Sequence, residues 1–226
     1  MIVGWDDSYS KDNFNTDLEG DGAFICQNSW GDNFGENGFF YISYYDTNIG
    51  THNVVYTDIE NTDNYDHIYQ SDLCGWVGQL GYNKDSIYGA NVFTAEGNET
   101  LKAASFYATG KDSQYELYVV RQFEDETSLE KMIPVASGKL GNAGYYTVDF
   151  NQGIEVDAGE RYAVVLYIIT PGSVHPMAIE YAADEATENV DLDDGESYIS
   201  ANGSKWVSVD TVEKSNLCIK AFSDNR

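Results

Sequence analysis

The residues that could carry covalent or metal chemistry in this sequence are three cysteines and three histidines. They are Cys26, Cys74, Cys218, His52, His67 and His175. A thiolate nucleophile needs an imidazole close by to hold its proton, and a zinc site needs closely spaced Cys and His ligands. The sequence has neither a Cys-x-x-Cys pair nor a Cys/His ligand spacing, so it predicts no metal site and no cofactor. We expect buried free thiols, with Cys74 and Cys218 as the one pair able to form a disulfide.

A run of carboxylates offers a second kind of site. Residues 191–196 read Asp-Leu-Asp-Asp-Gly-Glu, and carboxylates at loop spacing are ligands that calcium accepts. The run lacks the full calcium-loop pattern and its final bidentate glutamate. We therefore interpret it as a solvated acidic turn.

A short segment rich in Asn, Trp and Gly is the most specific motif of the chain. Residues 28–31 read Asn-Ser-Trp-Gly, and residues 34–40 read Phe-Gly-Glu-Asn-Gly-Phe-Phe. A neutral amide such as that of Asn28 can accept the N–H of an imidazole and so hold the ring in one tautomer and one orientation. The glycines allow tight turns and close backbone approach beside such a group.

This segment resembles the Asn-Ser-Trp-Gly region of papain-family (C1) cysteine peptidases, and Val3-Gly4-Trp5 resembles the strand that precedes it in that family. The resemblance implies that Asn28 orients the catalytic histidine and that Trp30 shields the His–Asn hydrogen bond from water. The family's histidine would fall three residues before Met1, and its cysteine motif more than about a hundred residues earlier. We therefore expect a C-terminal piece of a longer peptidase, inactive alone, in which only Asn28 of the Cys-His-Asn triad is present.

The elements that must position these residues are β-strands joined by turns. Alternation of apolar and polar residues between Gly and Asn turns predicts strands at 2–5, 23–27, 38–45, 101–109, 114–122, 145–150, 161–170, 177–182, 205–209 and 217–222. The only predicted helix is a short one at 125–131. The segment 161–170 has the longest apolar run, which predicts a place at the centre of an antiparallel β-sandwich.

The second part of the chain resembles the lectin-like β-sandwich that follows some bacterial and archaeal papain-family domains. The residues that carry this resemblance lie at 68–76, 90–95, 101–107, 144–150 and 218–222. Carbohydrate binding is implied here by the name of the lectin-like family and not by a particular residue. Trp76, Trp206 or exposed members of the 18 tyrosines could stack on a sugar ring, and packing in the core is the alternative for each of them.

The predicted fold class is mainly β: a partial papain-like segment of three strands, followed by an antiparallel β-sandwich of lectin-like type. We predict the truncated papain-like segment at 1–50, a polar connector at 51–65 and the sandwich at 66–226. The large apolar side chains of the first segment need a partner surface, because burial of each is worth about 1.5–3 kcal/mol. A papain fold takes that surface from residues upstream of Met1.

Charge and composition limit the partners. Twelve basic against 38 acidic residues give a net charge of −26, and a surface this negative repels phosphate. We therefore expect no nucleic-acid partner, and anionic lipid is a poor partner for the same reason. No apolar stretch is long enough to span a membrane. We expect an extracellular or cell-surface protein whose signal is not present in this chain.

Two classes of function remain open at this point. The first is the C-terminal portion of a secreted or surface papain-like cysteine endopeptidase, acting on a peptide or protein, with a lectin-like accessory domain. The second is a non-catalytic carbohydrate-binding or adhesion module that carries a peptidase remnant. A sandwich that only stabilises the peptidase and binds nothing is a third interpretation.

Overall fold

The computed structural model describes residues 1–50, 54–57, 59–192 and 196–226, apart from the side chains of 210 and 211. Backbone contacts divide the chain into two compact units, Met1–Asp58 and Ile59–Arg226. We call them the N-terminal unit and the C-terminal unit. The described chain is mainly β, and its paired strands are antiparallel.

The N-terminal unit contains one sheet of three strands, which confirms the three strands predicted there. Its strands are β1 (Ile2–Asp6), β2 (Ala23–Gln27) and β3 (Phe39–Ser43), in that order across the sheet, with a 3₁₀ helix at Lys11–Asn13. The register shifts between Ile2 and Gly4, where β1 pairs with β2. The described residues of this unit form one sheet layer, and a single layer buries little apolar surface by itself.

The C-terminal unit begins with a stretch without helix or strand at 59–66 and contains thirteen described strands. They are β4 (His67–Tyr69), β5 (Gly78–Leu80), β6 (Ser86–Thr94), β7 (Glu99–Ala108), β8 (Ser113–Val120), β9 (Ile133–Leu140), β10 (Gly144–Val156), β11 (Arg161–Ile169), β12 (Met177–Glu180), β13 (Ser197–Ser200), β14 (Val207–Ser208), β15 (Asn216–Leu217) and β16 (Ile219–Asn225). The helical segments are a 3₁₀ helix at Glu126–Glu130 and α1 at Val209–Val212.

Two sheets of the C-terminal unit enclose the main core. The four-stranded sheet has the order β10-β7-β16-β4, the six-stranded sheet has the order β14-β13-β6-β11-β8-β9, and a small third sheet has the order β15-β12-β5. Phe106 from the first sheet and Leu117 and Leu166 from the second lie in one buried cluster. This arrangement confirms the predicted antiparallel β-sandwich.

Strand β11 lies at the centre of the six-stranded sheet, as its apolar run predicts. It pairs with β6 on one side and β8 on the other. Val164 and Leu166 point to the main core, whereas Ala163 and Val165 belong to a second cluster on the opposite face. A strand buried on both faces reads as a continuous apolar run rather than an alternating one.

One predicted helix and two predicted strands differ from the elements in the structure. The predicted helix at 125–131 is a 3₁₀ helix, started by the Asp125 side chain, which accepts a hydrogen bond from the Thr127 N–H at 2.9 Å. The strand predicted at 205–209 is wrong beyond two residues, because Val209 is fully buried and begins α1. The strand predicted at 145–150 extends to Val156 across an irregularity between Asp149 and Ile154.

Candidate functional site

The turn that carries Asn28 follows directly from β2 and returns to β3. The Asn28 N–H and the side-chain Nδ2–H both donate to the Gly38 carbonyl oxygen, at 3.0 and 2.9 Å. The side-chain oxygen Oδ1 accepts from the Trp30 N–H. Because these bonds use both ends of the amide, the orientation of the half-buried Asn28 side chain is fixed.

Glycine is required on the far side of this turn. Gly35 has φ +60°, and a Cβ atom there would lie 2.1 Å from the Phe39 carbonyl oxygen. Gly38 donates its N–H to the Phe34 carbonyl oxygen at 2.9 Å. A side chain at residue 35 would therefore push β3 away from the turn that holds Asn28.

Trp30 and Asn28 line the same concavity. Its volume is about 460 Å³, and its lining residues are Met1, Gln27, Asn28, Ser29, Trp30, Phe34 and Phe40. The Trp30 ring meets Phe34 edge to face at a centroid distance of 5.0 Å, and 76% of Trp30 is exposed. The indole therefore lies in the same surface concavity of the N-terminal unit as Asn28.

The three cysteines are poor nucleophiles in their present surroundings. Cys26 and Cys218 are buried, as predicted, but Cys74 is exposed, and all three thiols are free. Burial raises the pKa of Cys26 and of Cys218, and loss of solvation together with the charge of Glu180 raises the pKa of Cys74. Each is therefore a thiol at neutral pH, and thiols attack far more slowly than thiolates.

A second concavity lies on the six-stranded sheet of the C-terminal unit. Its volume is about 270 Å³, and its lining residues are Gln114, Tyr115, Glu116, Ser137, Gly138, Lys139, Tyr167 and Ile169. Sequence reasoning missed this group, because its members come from β8, β9 and β11. The alternation in β8 places Gln114 and Glu116 on one face, but only the pairing of the strands shows that Tyr167 stands beside them.

The family of the C-terminal unit follows from its sequence, since residues 68–223 match the lectin-like domain family. The chain belongs to that family. Residues 1–59 match the papain family of cysteine proteases, which confirms the resemblance of the N-terminal unit. No curated protein matches the chain.

Solved structures show the same order of a papain-family segment and a lectin-like domain. One is the Clostridial cysteine protease Cwp84 after propeptide cleavage, with 29% sequence identity and a TM-score of 0.81 over 100% of this chain. Another comprises the cysteine protease and lectin-like domains of Cwp84, a surface layer associated protein of Clostridium difficile, with 28% identity and a TM-score of 0.78 over 100% of this chain. The present chain covers 57% and 51% of those two chains, and so spans about half of their length.

Trp76 and Trp206, the two candidate sugar platforms with core packing as the alternative, have different surroundings in the lectin-like domain. Trp76 is 37% exposed, and its ring lies 5.6 Å from that of Tyr107. Trp206 is half-buried against the second apolar cluster, with its ring 6.3 Å from that of Tyr88. Trp76 thus has more open surface than Trp206, and a binding role for either remains a prediction.

The remaining candidates lie apart from one another. His67 contacts Asn225 and Glu96, His175 lies near Ser173, and His52 is outside the described residues. Residues 193–195 of the acidic run are also outside them. Within the described ranges, His, Cys, Asp and Glu do not gather in threes as a metal ion would require, and no helix there has the length and apolarity to cross a membrane.

Proposed function

We propose that this chain is the C-terminal portion of a secreted or surface papain-like cysteine endopeptidase with a lectin-like accessory domain. In the proposed enzyme, a Cys-His-Asn triad hydrolyses peptide bonds through a thioester intermediate. Asn28 orients the histidine, and Trp30 keeps water from their hydrogen bond. The domain division that we propose is a truncated peptidase segment at 1–50, a connector at 51–65 and the lectin-like domain at 66–226.

The position of Asn28 beside the start of β1 carries this proposal. The Met1 amino group donates to the Gln27 carbonyl oxygen at 2.6 Å, and the Gln27 N–H donates to the Met1 carbonyl oxygen at 2.8 Å. The pairing of Ile2 with Cys26 therefore reaches Met1. Since β2 ends at Gln27 and Asn28 is the next residue, a chain that precedes Met1 would continue β1 toward the turn that carries Asn28.

The Asn28 amide has the chemistry that the proposed role requires. A carbonyl oxygen has two lone pairs, and the Trp30 N–H donates to one side of Oδ1. The other lone pair can accept an imidazole N–H. The Nδ2 bond to Gly38 holds the amide so that its oxygen, and not its nitrogen, is presented.

Exposed apolar side chains of β1 support the same interpretation. Ile2 is 41% exposed, Val3 47% and Trp5 70%. Large apolar side chains grouped in one strand at the surface are typical of an interface rather than of a finished domain face. We propose that the rest of the peptidase domain covers them.

The lectin-like domain would hold the enzyme near a cell-wall or glycoconjugate target and so raise the effective concentration of its substrate. Surface location is supported by the similar Cwp84, which is a surface layer associated protein. A second candidate function is a carbohydrate-binding module without peptidase activity, for which the concavity on the six-stranded sheet would be the binding site. The two candidates differ in what precedes β1.

The coding DNA upstream of Met1 separates them. About 200 codons should be read, which covers the family's Cys-to-His spacing of about 130–150 residues. We expect a histidine codon three positions before Met1 and a cysteine motif farther upstream. A stop codon directly before Met1, with neither residue in any frame, would contradict the peptidase proposal and favour the binding module.

The extended chain then allows a direct test of Asn28. We expect Asn28→Ala to lower kcat/KM on a quenched fluorescent casein by about 10²-fold, the low end of the effect of acid–base positioning. Asn28→Asp retains the oxygen and loses the donor to Gly38, and it should lose less. Asn15→Ala, an exposed asparagine of the same unit, is the control and should leave the rate unchanged. Equal rates for Asn28→Ala and the control would sink the assigned role.

A further inference from the structure

The outer face of the six-stranded sheet has a covered half and an open half. On the covered half, Phe123 and Leu129 pack over Val92 and Val165 in the second apolar cluster. On the open half, one row of directly opposed residues crosses four strands. In order from β6 through β11 and β8 to β9, it consists of Tyr88, Tyr167, Glu116 and Ser137.

The concavity of about 270 Å³ lies along the open half. Tyr88 stacks on Tyr167, with the ring centroids 4.2 Å apart and 22° between the planes. Tyr88 does not line the concavity, whereas residues of β8 and β9, which lie on the other side of β11 from β6, do. The second face of the Tyr167 ring is therefore the one available to a ligand.

Both hydrogen-bond donors and hydrogen-bond acceptors line the concavity together with the Tyr167 ring. Gln114 offers both a donor and an acceptor, Glu116 offers acceptors, and Lys139 offers donors. All three are exposed, and the Tyr118 hydroxyl group donates to the Glu116 carboxylate, which orients it. Lys139 and Ser137 lie directly opposite Gln114 and Glu116 across the β8–β9 pair.

These features together fit a sugar ring. One face of a pyranose presents C–H bonds that pack on the negative face of an aromatic ring, while its hydroxyl groups both donate and accept hydrogen bonds. The volume lies just below the range of about 300–1,000 Å³ that is typical of ligand pockets, which suits one sugar unit in an open groove. The net charge of −26 and the Glu116 carboxylate disfavour acidic sugars.

We propose that the lectin-like domain binds one neutral pyranose unit of a glycan in this concavity, with Tyr167 as the stacking platform and Gln114, Glu116 and Lys139 as hydrogen-bonding partners. The proposal rests on the proposed function of the domain as a carbohydrate-targeting module. It places the sugar on the six-stranded sheet and away from Trp76, which packs against Tyr107 of β7 in the four-stranded sheet.

A printed panel of oligosaccharides tests this proposal with the whole chain. The panel contains neutral glycans ending in glucose, galactose, mannose or N-acetylglucosamine, together with sialylated and uronic acid glycans. We expect binding to neutral glycans only, and titration calorimetry with the best of them then gives the Kd. Tyr167→Ala should raise that Kd about tenfold or more, since it removes the platform. Gln114→Ala should raise it about threefold to tenfold, as expected for a lost hydrogen bond.

Matched controls lie on β10 of the other sheet. Tyr146→Ala removes another half-buried strand tyrosine, and Gln152→Ala removes another exposed strand glutamine. Both should leave the Kd unchanged. If Tyr167→Ala fails to fold by circular dichroism, Gln114→Ala and Glu116→Gln decide the question.

Each outcome bears on a different claim. Neutral-glycan binding that survives Tyr167→Ala and Gln114→Ala would overturn this site and leave carbohydrate targeting standing. Absence of binding to every neutral glycan would overturn both the site and the targeting role. Neither result affects the proposed role of Asn28, which is measured by peptide hydrolysis. Preference for acidic glycans would contradict the proposed ligand class.

Discussion

Both units are built from antiparallel strands that carry large apolar side chains, but the two units differ in how far they bury those side chains. The C-terminal unit buries large side chains such as Phe106 and Leu166 completely or nearly so between two sheets. In the described part of the N-terminal unit, the buried hydrophobic side chains are only the small ones of Ala23 and Cys26, while Trp5 is 70% exposed. A sheet becomes a stable domain only when a second layer covers its apolar face. In the described residues of the N-terminal unit, large apolar side chains such as Trp5 therefore remain exposed.

We expect the largest change in the free energy of unfolding when a core side chain of the C-terminal unit is removed. Phe106 is fully buried, and Phe106→Ala should lower the free energy of unfolding by about 3–5 kcal/mol, from lost burial and the cavity left behind. Chemical denaturation followed by circular dichroism measures this. Phe106→Leu, which retains most of the volume, should cost less than about 1.5 kcal/mol. Equal losses for both variants would show that packing is not what holds the sandwich together.

A smaller effect is expected at the ion pair of Arg121 and Glu160. Two Arg121 nitrogens, Nε and Nη2, donate to the Glu160 carboxylate at 2.9 and 2.7 Å, and the Glu160 side chain is 8% exposed. Arg121→Ala should cost about 1–3 kcal/mol, less than for a fully buried pair because Arg121 itself is 37% exposed. The matched exposed pair is Lys102 with Asp224, at 3.7 Å, and Lys102→Ala should cost less than about 1 kcal/mol.

The contribution of the Arg121–Glu160 ion pair to stability should depend on pH. The hydrogen bond from Arg121 lowers the pKa of Glu160 below its ordinary value of 4.5. A carboxyl group whose pKa is lowered in the folded state stabilises that state fully at pH values above its ordinary pKa. This stabilisation is lost as the pH falls through the pKa of the folded state. The stability difference between the wild type and Arg121→Ala should therefore be largest near neutral pH and shrink below about pH 4.5. A difference that grows on acidification would contradict this assignment.

The smallest effect is expected at the surface of the N-terminal unit. Trp5→Ser should change the free energy of unfolding by less than about 0.5 kcal/mol, because the side chain is already in water. It should also reduce the binding of a hydrophobic fluorescent dye, which reports exposed apolar surface. A large loss of stability would contradict the contrast between the two units, since it would mean that the Trp5 side chain is packed against other residues of this chain.

Strands with two apolar faces or clean alternation could be predicted from the sequence, whereas strands defined by their neighbours could not. The run at 161–170 predicted a central strand, and β11 is one. Strand β6, its neighbour, was not predicted, because Gly89 and Asn91 interrupt its pattern. A Cβ atom at Gly89 would lie 2.6 Å from the Met177 side chain, and the buried Asn91 amide donates to the carbonyl oxygens of Leu217 and Ile219 at 2.9 Å. Both residues serve contacts with distant parts of the chain.

The candidate sites divide in a similar way. The Asn28 turn could be predicted because its Gly and Trp residues lie within a few positions of one another. The concavity around Tyr167 could not, since its residues become neighbours only through the pairing of β11 with β8 and of β8 with β9. Single-sequence reasoning therefore selected Trp76 and Trp206 by residue type and had no means of grouping Tyr167 with Gln114.

The place of β16 in the four-stranded sheet determines when the lectin-like domain can form during synthesis. This strand lies between β7 and β4, and it pairs with both. Since the ribosome releases the chain from its N-terminus, β4 and β7 emerge long before the strand that must lie between them. The sheet can close only once Ile219–Asn225 has been released. Until then, a nascent chain carries an open β7 edge, and a translational pause before β16 would prolong its exposure to chaperones and to aggregation.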